Sequence, residues 1–148
     1  MKKYMAILAV AFLSSTAALM AQTEAPTLAG VWQQHQYVPE QDGSARLIHL
    51  PVWKVLTADG NFCTFLIANK EGVSIKTNEG TYKVLNDSVY EETLTGSITV
   101  PDLVGQSNSL RYEFQDPDTM NLIYTLPNKE APTREIWTRV KLEFPKNH

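Results

Sequence analysis

The sequence predicts an all-β fold, an antiparallel barrel or sandwich, and three observations carry that prediction. Short runs rich in Val, Ile, Thr, Tyr, Phe and Trp alternate with clusters of Gly, Pro, Asn and Asp. Beyond the N-terminal segment, no stretch sustains the apolar period of an amphipathic helix. The runs also follow one another with no helix between them, which favours antiparallel neighbours over crossover connections.

The first element is not part of that fold. Lys2 and Lys3 precede an apolar run from Tyr4 to Leu13, and small residues lead on to Ala21. This is the pattern of a secretory signal with cleavage after Ala21, so 1–21 read as signal peptide and 22–148 as a single β domain. The apolar run falls short of the ~20 residues that span a membrane as a helix. No Cys near the cleavage point offers a lipid attachment site, so a secreted or periplasmic protein without a membrane anchor is expected. Cleavage leaves 127 residues and removes two lysines, so 16 acidic side chains then face 11 basic ones. That balance disfavours a nucleic-acid binder, which needs a basic face. Cys63 stands alone, which rules out an internal disulfide, and within Asn61–Leu66 it reads as a small apolar core residue.

Strands are expected over 30–38, 46–57, 61–69, 79–85, 88–95, 108–115, 119–126 and 134–143. A weaker one covers 72–77, and 96–101 extends the fifth. Three turns set local pairing. Asp59-Gly60 predicts a two-residue hairpin, because Gly accepts positive φ freely. It would pair 55 with 64 and 53 with 66, with Trp53, Val55, Phe62 and Leu66 on one face. Val52, Leu56, Cys63, Phe65 and Ile67 would form the other. Two apolar faces are unusual in an antiparallel pair with one wet side, so a covering segment or partner is expected there. Around Asn86-Asp87, a three-residue loop through Ser88 sets Tyr82 opposite Glu92 and Val84 opposite Tyr90. Asp116-Pro117-Asp118 signals a type I turn, and a three-residue loop there pairs Phe114 with Leu122 and Tyr112 with Tyr124. That choice gathers Leu110, Tyr112, Phe114, Met120, Leu122, Tyr124 and Leu126 on one face and leaves Arg111, Glu113 and Asn121 outside.

Gly30-Val31-Trp32 opens the first strand, and Trp137-Thr138-Arg139 lies in the last. A Gly-x-Trp start with an Arg on the final strand resembles the lipocalin and wider calycin pattern. The order of Lys54-Val55-Leu56, Asp59-Gly60-x-Phe62, Gly80-Thr81-Tyr82, Tyr90-x-Glu92 and Leu110-x-Tyr112-x-Phe114 is similar to a family of secreted bacterial lipocalin-like domains of unknown function. The resemblance implies a lipocalin-like up-and-down β-barrel of about eight to ten strands. It also implies a closure at which Arg139 packs over Trp32, with Gly30 allowing the close approach. Simple alternation in the last strand would make Ile136, Val140, Leu142 and Phe144 the inner set. The resemblance instead turns Trp137 and Arg139 inward, and that reading is followed.

Chemistry-bearing patterns are few. His35, His49 and His148 lack metal-ligand spacing, and neither a G-x-S-x-G elbow nor a phosphate loop occurs. Asn86-Asp87-Ser88 fits a glycosylation acceptor but reads as a turn. Glu92 and Glu135 could face one interior as a glycosidase-like pair, although a buried carboxylate more often finds an Arg, Lys or tyrosine hydroxyl. Arg139 and Lys83 are the cations at hand for that. Trp32, Trp53, Tyr82, Tyr90, Tyr112, Tyr124 and Trp137 are expected to converge, with Gln34 and Gln36 among them. An aromatic wall bearing a few polar groups suits a small-molecule cavity. The expected function is non-enzymatic binding of a small apolar or aromatic ligand, lined by Tyr90, Glu92, Tyr112, Tyr124 and Trp137, with no cofactor or metal. The alternative is a filled barrel that meets a second copy or another protein through its outer apolar face. An enzyme using Glu92 or Glu135 is the weakest reading.

Overall fold

The computed structural model describes residues 26–68 and 73–143, and among them eight antiparallel strands close on themselves. They are β1 (Gly30–Pro39), β2 (Ala45–Leu56), β3 (Asn61–Ala68), β4 (Val73–Asn86), β5 (Val89–Ser97), β6 (Ser107–Asp116), β7 (Thr119–Tyr124) and β8 (Thr133–Arg139). Each strand pairs with the next in sequence, and β8 returns to β1, so the barrel is up-and-down. The expected signal segment, Phe144 and His148 lie outside the described residues. The stretches 72–77 and 79–85 belong to one strand rather than two. β4 runs through a bulge at Thr77, whose hydroxyl donates to the Thr64 carbonyl at 3.0 Å. The fifth strand stops at Ser97, and the chain then makes a 3-10 turn over Pro101–Leu103 before β6.

Alternation decides what faces inward. Leu110 on β6, Met120 and Leu122 on β7, and Trp137 on β8 are buried, joined by Trp32, Leu56, Phe62 and Tyr90. Tyr82, Tyr112, Phe114 and Tyr124 pack against this core. Trp137 turns inward and Ile136 outward, as the resemblance implies. β8 ends at Arg139, and Leu142 beyond it is 74% exposed.

The three hairpins differ in how their registers compare with expectation. At β4–β5, Tyr82 faces Glu92 and Val84 faces Tyr90, as expected; a tight turn plus a bulge at Leu85 replaces the three-residue loop. At β6–β7, Phe114 faces Met120 and Tyr112 faces Leu122, two residues from the expected pairing. The turn is short, because the Asp118 amide donates to Asp116 Oδ1 at 2.8 Å, and a bulge at Gln115 takes up the rest. A slip of two preserves the faces, so the inner set stands.

At β2–β3 the slip is one residue, and it inverts β3. Leu56 faces Phe62, Lys54 faces Thr64 and Val52 faces Leu66. The loop has three residues, Ala58-Asp59-Gly60. The Gly60 amide donates to the Thr57 carbonyl at 3.1 Å and Gly60 sits at φ +84°. This is a type I turn followed by a left-handed residue, which adds one position to a two-residue hairpin. The Thr57 hydroxyl holds Asp59 inside the loop. Phe62 therefore joins Leu56 in the core, while Trp53, Val55 and Cys63 point outward and are half-buried. Trp53 is thus not part of the interior aromatic group, and Cys63 is not a core residue. Burial still pushes the Cys63 thiol above its usual range.

Candidate ligand-binding site

In an up-and-down barrel, alternate connections lie at the same end. The short turns after β2, β4 and β6 share one end with the entry of β1 and the exit of β8, and this end is closed. Trp32 donates its indole N–H to the Leu28 carbonyl at 2.8 Å, and the Arg139 guanidinium lies 4.2 Å above the Trp32 ring. The same guanidinium donates to the carbonyls of Ala29 (2.8 Å) and Thr27 (2.7 Å). Gly30, at φ +151°, leaves room for it: a Cβ there would stand 2.3 Å from Arg139 Nη1.

The opposite end carries the longer connections and opens into a cavity of about 360 Å³. Val52, Phe62, Leu94, Leu103, Leu110 and Trp137 supply its apolar wall, and Gln34, Thr64 and Asn108 contribute polar groups. Leu103 comes from the 3-10 turn, which brings the β5–β6 connection to the cavity. Three charged residues line the space among the described ones: Lys54 from β2, Glu92 from β5 and Glu135 from β8.

These groups are built into two hydrogen-bonded sets. Lys54 Nζ donates to Glu92 Oε1 at 2.6 Å, and Tyr90 donates to the same oxygen at 3.0 Å. The ion pair is well shielded, with side-chain exposures of 8% and 13%. The ammonium also lies 5.5 Å from the centre of the Phe62 ring and 5.6 Å from that of Trp137. In the second set, Tyr124 donates to Glu135 Oε1 at 2.8 Å and Trp137 donates to Oε2 at 2.9 Å. Burial, reinforced by the carboxylates, holds both the Tyr90 and the Tyr124 phenols well above the usual tyrosine range. Both therefore stay protonated at neutral pH and act as donors.

Of the five expected lining residues, Glu92, Tyr124 and Trp137 face the cavity. Tyr90 is fully buried behind Glu92 and orients it rather than meeting the cavity. Tyr112 lies toward the closed end, where its hydroxyl donates to the Asn86 carbonyl at 3.1 Å. Gln34 lines the cavity, whereas Gln36 is exposed. Glu92 pairs with Lys54 and a tyrosine, and Glu135 with a tyrosine and an indole, so neither carboxylate uses Lys83 or Arg139. Lys54 escaped sequence reasoning. The signal was the alternation Val52-x-Lys54-x-Leu56, whose meaning depends on knowing which face is inner.

His35 and His49 sit on the outer face with ring centres 4.3 Å apart. His35 Nε2 meets the Thr138 hydroxyl, while the buried Nδ1 has no partner among the described residues.

Fold and site together define an up-and-down β-barrel domain sealed at one end and hollow at the other. The chain belongs to the family described as Domain of unknown function (DUF4488), which matches residues 27–147. No curated protein matches it.

Proposed function

We propose that this protein is a secreted or periplasmic, lipocalin-like carrier that binds a small molecule with an apolar or aromatic body and catalyses no reaction on it. The observation that carries this reading is the cavity of about 360 Å³, with apolar walls and a small set of convergent polar groups. The Trp32–Arg139 closure supports the lipocalin-like assignment, because it seals the end opposite the cavity. The pre-formed hydrogen bonds of Glu92 and Glu135 favour binding over glycosidase-like catalysis, since both carboxylates are already engaged by fixed donors.

The test is a thermal-denaturation screen of apolar and aromatic small molecules, since a ligand of the folded state raises the melting temperature. Ligands that stabilise the wild type should lose their effect on Gln34→Trp, which places a large ring at the cavity wall. A set of hits that all survive this substitution binds elsewhere and overturns the reading. Export is checked by N-terminal sequencing of the protein from its source, which should begin at Gln22 or close to it.

A further inference from the structure

We propose that the molecule held in this cavity is a cation, an amphipathic amine whose ammonium group docks on Glu135 beside Glu92. The inference rests on the binding role above and adds the charge of the ligand, which follows from three features of the cavity.

The first is the balance of charge. Lys54 is the one cation among the described lining residues, against two carboxylates, so this described lining carries one formal negative charge in excess. The second is the way Lys54 is used. Its ammonium is committed to Glu92 Oε1 at 2.6 Å, with the Phe62 and Trp137 rings nearby. An anionic ligand that reached Lys54 would have to share it with Glu92 while facing Glu135, and like charges in a shielded site repel strongly.

The third is the unused acceptor capacity. A carboxylate offers about four acceptor positions. Glu135 uses one on each oxygen, both for neutral donors, Tyr124 and Trp137. Glu92 takes both of its donors on Oε1, and its Oε2 accepts none from the described residues. The protonated phenols fix the carboxylates without neutralising them. An ammonium carries three donors and one positive charge, which matches the open positions and the missing charge. The hydrocarbon body then rests on Val52, Leu94 and Leu110.

The test uses three probes sharing one hydrocarbon body: phenylpropylamine, phenylpropanol and phenylpropanoate, each titrated calorimetrically into the wild-type protein at neutral pH. The amine is expected to bind about tenfold tighter than the alcohol, the worth of one charge-assisted hydrogen bond, and the carboxylate to bind weakest. Glu135→Gln keeps an acceptor for Tyr124 or Trp137 and removes the charge, so it should cost the amine about tenfold and erase most of its lead over the alcohol. Equal affinity for amine and alcohol, or tightest binding of the carboxylate, overturns the charge assignment and leaves the cavity as a neutral or anion-selective site. Failure of all three to bind overturns the small-molecule role and the charge assignment together. The wild-type series decides the matter even where the variant is unstable.

Discussion

Arg139 acts on the closed end in two ways, as a cation over the Trp32 ring and as a donor to the backbone of Ala29 and Thr27. Trp32→Ala should destabilise the protein by about 3–5 kcal/mol, the usual range for truncating a buried Trp. Arg139→Ala should cost less, and the double variant should fall short of the sum, because contacting residues couple. A double-mutant cycle in urea measures this, and strict additivity would mean that the two side chains act independently. His35 gives the protein a pH dependence of its own. Burial, then the neighbouring His49, lowers its pKa below the ordinary 6.5. The folded state therefore binds this proton less readily than the unfolded chain. Its stabilising contribution is complete above pH 6.5 and is lost as the pH falls from there through the folded-state value. The protonated ring carries a hydrogen on both nitrogens, including Nδ1, which has no partner among the described residues. The denaturation midpoint should drop between about pH 7.5 and pH 5.5, and His35→Gln should flatten that part of the profile. A wild-type profile flat over this range would rule the effect out. The sequence showed two strand histidines; their contact depends on the irregularity in β2 over 50–52, opposite Gln34, which no periodicity announces.

The β2–β3 hairpin is the element on which the site depends. One extra loop residue turns Phe62 and Thr64 inward, opposite Leu56 and Lys54, and Phe62 then becomes a neighbour of the Lys54 ammonium. Gly60 holds that loop at φ +84°, with room for a Cβ only 3.0 Å from the Tyr82 carbonyl. Gly60→Ala should cost about 1 kcal/mol or more, because Ala resists positive φ. Gly60→Asn should cost less, since Asn tolerates the left-handed region. Chemical denaturation of the pair reads the difference, and equal losses would assign the cost to the Tyr82 contact instead. The dipeptide Asp59-Gly60 marked the turn correctly and its length wrongly. At Asp116-Pro117-Asp118 the length was also misjudged, yet the slip of two left the inner face of β6 and β7 intact. The same kind of error is harmless or inverting according to its parity alone.

At the scale of the whole molecule, the barrel separates a sealed end from a hollow one. The short turns and the Trp32–Arg139 pair seal one end, while the connection through Pro101–Leu103 brings Leu103 to the cavity at the other. The sequence by itself determined most of the strands, the places of the turns and the inner faces of β6 and β7, because these follow from alternation and local turn chemistry. The pairing of the two chain ends came from the resemblance of the Gly-x-Trp and Trp-x-Arg patterns to calycin ends, against the simple alternation of the last strand. Only the tertiary structure decided which polar side chains meet inside. Lys54, Glu92 and Glu135 come from β2, β5 and β8, and no two of these strands are neighbours. Alternation assigns a residue to a face, and a hydrogen bond needs a partner at a given height and angle. That partner is set by the accumulated register of every intervening turn and bulge, and by the closing of β8 onto β1, which a local pattern does not encode.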